Sequence, residues 1–122
     1  MNPLNKLWSL AESQPDSLAL ASTAVQMNYR DLADNVARFA GALRAAGVRK
    51  GDVVAIQLQP ELEAVLILAT TQLGAVSLSA SKLLLDSYSK DIDFLITGDA
   101  TQLSKVKARI VIDQDFMLRL GA

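Results

Sequence analysis

The sequence predicts an α/β fold, a small parallel sheet of about four strands with helices on both faces and a peripheral N-terminal hairpin. Three observations predict it. Short apolar runs at Val53–Ile56, Val76–Ala80, Phe94–Thr97 and Ile110–Ile112 alternate with stretches of helical periodicity. That is the pattern of βαβ units, whose right-handed crossovers make successive strands parallel. Hydrophobic residues make up 51% of the chain but aromatics only 5%, so the core is built from Leu, Val, Ile and Ala, as suits helices laid on a buried parallel sheet. A length of 122 residues supports one core rather than two, and positions 1–122 are read as a single domain.

The first element is a short amphipathic helix carrying Leu4, Leu7, Trp8 and Ala11. Asn2 is its N-cap and Pro3 its first helical residue, where a missing N–H costs nothing. Pro15 stops it. Leu18–Ala21 and Val25–Met27 then form a hairpin about Ser22-Thr23. From Tyr29 the apolar residues Tyr29, Leu32, Ala33, Val36, Ala37, Ala40 and Leu43 recur at helical spacing, with Arg30, Asp34, Arg38 and Arg44 on the other face. Asn28 and Asp31 resemble a capping box, Gly47 ends the helix in a left-handed conformation, and Gly41 allows a close helix contact. Arg49-Lys50-Gly51-Asp52 is the turn that follows.

Val53–Ile56 reads as a strand covered on both faces. Pro60 and Glu61 open a helix to Leu73, closed by Gly74. Helical stretches at Leu83–Tyr88 and Ala100–Ala108, the second capped by Asp99 and Gln102, separate the remaining strands. Val53–Ile56 and Phe94–Thr97 are expected as adjacent central strands, with Val76–Ala80 toward an edge. Ser77, Ser79 and Ser81 alternate with Val76, Leu78 and Ala80, so serine is expected to form that strand's wet face.

Composition removes several function classes. Twelve basic and thirteen acidic residues give a net charge of -1. The basic residues concentrate only at Arg49-Lys50 and Lys105-Lys107-Arg109, too thin a field for nucleic acid. The absence of Cys and His removes disulfides, thiolate and imidazole metal sites and every His-dependent triad. The longest apolar run, Ala64–Ala69, is far short of the roughly 18–20 residues of a spanning helix. Glu12, Pro15 and Asp16 break the region where a secretory signal would lie. A cytoplasmic protein without a membrane partner is expected.

No glycine arrangement gives G-x-G-x-x-G or G-x-x-x-x-G-K-[ST]. None of the serines has a base or a nucleophile elbow. Asp91, Asp93 and Asp99 lack the spacing of a calcium loop and read as solvated turn residues. No catalytic, cofactor-binding or metal-ligating residue is therefore assigned. Ligands of open α/β sheets favour the carboxyl ends of the strands, here Gln57-Leu58-Gln59, Ser79–Ser81, Thr97-Gly98-Asp99 and Asp113.

The segment from Asn28-Tyr29-Arg30-Asp31-Leu32 through Ala40-Gly41-Ala42-Leu43-Arg44-Ala45-Ala46-Gly47-Val48-Arg49-Lys50-Gly51-Asp52-Val53-Val54-Ala55-Ile56 resembles the start of the AMP-forming adenylating enzymes. That superfamily includes acyl-CoA and aryl-CoA synthetases, luciferases and the adenylation domains of peptide synthetases. Pro15-Asp16, Gly74-Ala75-Val76 and the strand end Leu95-Ile96-Thr97-Gly98-Asp99 extend the likeness. Two departures stand out. Ser77-Leu78-Ser79-Ala80-Ser81-Lys82 lacks the family's proline-bearing strand end. No position matches the phosphate loop, the adenine and ribose motifs or the catalytic lysine.

The resemblance implies a truncated N-terminal subdomain of an AMP-dependent acyl or aryl acid–CoA ligase or adenylation enzyme, not catalytic on its own. ATP, Mg²⁺ and CoA are implied only for a complete enzyme, and none for this chain. A stand-alone degenerate module acting in binding or assembly is the alternative, and a small flavodoxin-like ligand binder a third reading. Because the helix Glu61–Leu73 is apolar around nearly its whole circumference, an uncovered patch is expected on it, with Leu62, Leu66 and Leu73 as interface residues. The expected partner is a second copy in a homodimer, or the remainder of the ligase.

Overall fold

The computed structural model describes residues 3–21, 26–79, 92–98 and 108–112. Helix α1, Pro3–Ser13, sinks Leu4 and Leu7 into the core. Strands β1 (Leu18–Ala21) and β2 (Gln26–Asn28) pair antiparallel as the expected hairpin, with an irregular register between Leu18 and Leu20. Helix α2, Tyr29–Ala45, is capped by Asn28, whose Oδ1 accepts the Asp31 N–H at 2.8 Å and satisfies one of the donors a helix start leaves open. Its other end closes in a Schellman motif: the Val48 N–H donates to the Leu43 carbonyl at 3.0 Å and the Gly47 N–H to that of Arg44 at 3.1 Å. Gly47 sits at φ +110°, a conformation side chains resist.

Strand β3 (Val53–Gln57), helix α3 (Pro60–Gln72) and strands β4 (Val76–Ser79), β5 (Phe94–Thr97) and β6 (Ala108–Val111) complete the described fold. The sheet order is β4-β3-β5-β6 and every pair is parallel. The two central strands and the edge position of β4 are those the sequence predicts. Ala108 opens β6 rather than ending a helix. The other expected helical residues, 83–88 and 100–107, lie outside the described residues.

The ladder register divides the sheet into two faces. Val54, Ile56 and Ile96 turn toward α1, α2 and α3 and form the main core with Val36, Phe39, Leu43, Val65 and Leu66. Ala55, Leu95 and Ile92 form a second, smaller cluster, with Val53 packed against it.

Several expectations are corrected. Leu66 is 0% exposed inside the main core, and Leu62 and Leu73 are partly buried against that same core. Helices α1 and α2 pack on α3 and enclose the Leu66 side chain, which is withdrawn from any interface, while Leu62 and Leu73 keep partial exposure. Exposure on β4 is not confined to the serine face: Ser79 is exposed, but so are Val76 and Leu78 at 50% and 36%, while Ser77 is half-buried because it pairs in register with Val54 on the helix-covered side. Gly41 faces open space rather than a close neighbour. Asp93 is half-buried and hydrogen-bonded to β3, not a solvated turn residue; Asp91 and Asp99 lie outside the described residues.

Candidate functional site

The carboxyl ends of the strands enclose a cleft of about 600 Å³. Ile56 and Gln57 come from the end of β3, Ser79 from β4, Thr97 and Gly98 from β5, and Ile112 from just past β6. The loop residues Leu58 and Gln59, with Leu62 and Glu63 in the first turn of α3, complete the wall. The strand-end rule thus selects Gln57, Leu58, Gln59, Ser79, Thr97 and Gly98 from sequence. Ser81, Asp99 and Asp113 lie outside the described residues. Leu62, Glu63 and Ile112 went unassigned, because which turn of α3 leans over the sheet is set by packing rather than by local pattern.

Thr97 and Gln57 are register partners across β5 and β3. Thr97, 1% exposed, donates its hydroxyl to the Gln57 Oε1 at 3.3 Å. That bond orients the Gln57 amide and leaves its NH₂ as the donor for the cleft. Gln59 occupies the N-cap of α3 without a side-chain bond to the helix, so its amide is not committed to capping. The cleft therefore offers amides, hydroxyls, apolar floor at Leu58, Leu62 and Ile112, and the carboxylate of Glu63. Such a set binds through hydrogen bonds. It contains no nucleophile paired with a base.

The donor set does not fit the triphosphate and Mg²⁺ of an adenylation reaction. Among the described residues no group of three acidic side chains converges on a metal position. No loop of the glycine-rich, phosphate-cradling kind follows a described strand. No catalytic step is derived through those groups.

The motif residues themselves do backbone work. The Pro15 carbonyl accepts the Arg30 N–H at 3.1 Å, and Asp16 pairs with the Arg30 guanidinium at 3.2 Å, which ties the end of α1 to the start of α2. Asn28 caps, Leu32 is buried, and Val48 is 1% exposed. Gly51 takes φ +86° and donates to the Gly74 carbonyl at 3.0 Å, and Asp52 accepts the Arg49 N–H at 2.8 Å. Gly74, at φ +75°, ends α3 in a second Schellman motif.

The sequence pattern of the AMP-binding enzymes matches residues 7–115. An acetyl-coenzyme A synthetase of Shewanella sp. (strain ANA-3) is 34% identical over 102 residues, covering 83% of this chain and 14% of that protein. The N-terminal subdomain of NpsA from Klebsiella oxytoca superposes with a TM-score of 0.75 at 24% identity, over 94% of this chain and 31% of that one. VinN, solved with L-aspartate, gives 0.74 at 16% identity, over 95% and 36%. The two structural likenesses are of fold. The chain spans about one seventh of the length of the synthetase and under two fifths of either solved neighbour. With a family pattern matched over most of its length and a described fold of the same kind, this chain belongs to the AMP-binding enzyme family.

Proposed function

We propose that the chain serves as the N-terminal structural subdomain of an AMP-forming ligase and does not itself adenylate. One observation carries the reading. The motif residues that relate it to the family, Pro15, Asp16, Asn28, Gly47, Gly51, Asp52 and Gly74, cap helices, close turns or bridge elements, and among the described residues the cleft brings no reacting pair together. The activity belongs to the assembled ligase: attack of a carboxylate on the ATP α-phosphate gives an acyl adenylate and releases pyrophosphate, and attack of a thiol such as that of CoA on its acyl carbon gives the thioester and releases AMP. The chain's part is to supply the parallel sheet and the wall of the strand-end cleft. A cytoplasmic setting follows from dependence on ATP, and no described helix is long and apolar enough to cross a membrane.

The test is carboxylate-dependent ATP–pyrophosphate exchange by the purified chain with a panel of short, fatty and aromatic acids. The expected result is the rate of a protein-free blank. Acid-dependent exchange above that blank overturns the reading.

A further inference from the structure

We propose that the outer edge of β4 is the seat of one more β-strand, delivered by the remainder of an AMP-forming ligase. The proposal rests on the reading of the chain as an N-terminal subdomain. The Val76 N–H donates to the Asp52 carbonyl at 2.8 Å. In a parallel ladder alternate residues turn both backbone groups to the same side, so Val76 and Leu78 bond inward to β3. Ser77 and Ser79 therefore turn their N–H and C=O groups to the outer edge, where β4 has no neighbour among the described strands.

The side chains point the same way. Leu18, Val76 and Leu78 are the exposed large hydrophobics of the described residues, and Val76 and Leu78 stand on one face of this one strand. Their register partners are Val53 and Ala55, so the pair extends the smaller core cluster of Ala55, Ile92 and Leu95 outward to open solvent. The strand Val76-Ser77-Leu78-Ser79 carries no proline, lysine or inward charge, the devices that protect an edge meant to stay bare. The relatives carry the chain from which a cover can come: the NpsA subdomain is about three times the length of this chain and the Shewanella synthetase about six times. The occupant is an extended segment of that additional chain, with apolar side chains at alternate positions to lie over Val76 and Leu78.

The experiment mixes the full chain with the Shewanella synthetase lacking its matched N-terminal segment. Complex formation is followed by light scattering, and amide hydrogen exchange is read at single residues. The Ser77 and Ser79 amides are expected to exchange freely in the chain alone and to slow by about a hundredfold in the complex, while Val76 and Leu78 are protected throughout. Leu78→Lys and Val76→Lys are expected to weaken the complex by about tenfold or more, with unchanged melting of the free chain. Leu18→Lys, an exposed apolar site on the hairpin, is the control and leaves binding intact. A complex that forms without slowing Ser77 and Ser79, or that tolerates Leu78→Lys, overturns the edge assignment while the subdomain reading stands. No complex overturns both. Self-association that protects Ser77 and Ser79 and is lost in Leu78→Lys gives the edge to a second copy and overturns the proposed occupant.

Discussion

Asp93 engages both backbone groups of Val53: the Asp93 N–H donates to the Val53 carbonyl at 2.9 Å, and the Asp93 Oδ2 accepts the Val53 N–H at 2.8 Å. The pair stands where the parallel strands β3 and β5 begin. It fixes their register before the first ladder pair, Val54 with Phe94. Asp93→Ala removes a charged acceptor and leaves a partly buried N–H unpaired, so it is expected to cost about 1–3 kcal/mol. A lowered urea midpoint with unchanged m-value checks it, and Asp93→Asn, which keeps an acceptor oxygen, is expected to lose less.

Two glycines of α2 and its cap give opposite signs. An added Cβ at Gly41 meets nothing within 4 Å, so Gly41→Ala is expected to stabilise by about 0.5–1 kcal/mol through helix propensity. Gly47 lies at φ +110°, and Gly47→Ala is expected to destabilise by about 1–2 kcal/mol through backbone strain. Thermal melting of the two variants side by side tests the pair.

Leu66 is enclosed by the chain itself. Leu66→Ala is expected to cost about 2–5 kcal/mol by opening a cavity, without altering the mass of the particle in solution. Chemical denaturation and light scattering on the same sample read both parts. A change of oligomeric state at full stability would return Leu66 to an interface.

Local chemistry made much of this fold legible. Asn28 as a cap, Gly47 and Gly74 as left-handed helix ends, and Asp52 in its turn each act within a few residues of themselves, so their types disclose their roles. The strand order was legible for a related reason, since short apolar runs joined by helical crossovers leave few topologies. What the sequence hid is nonlocal. The apolar circumference of α3 looks uncovered until α1 and α2 are laid on it, and Leu66 then disappears from the surface. Alternation on β4 shows that serines share one face, but only pairing with Val54 and Ile56 decides that this face turns toward the helices. Asp93 bonds across forty positions of sequence, and nothing near it announces that. The cleft was half legible: strand ends are readable, and the lean of α3 over them is not.

Reconstitution asks whether this chain completes an adenylating enzyme without holding its chemistry. Acetate-dependent ATP–pyrophosphate exchange is measured for the chain, for the Shewanella synthetase lacking its matched segment, and for the two together. Blank rates are expected for each alone and acid-dependent exchange on mixing. Exchange by the chain alone, or a mixture no more active than its parts, overturns the subdomain reading.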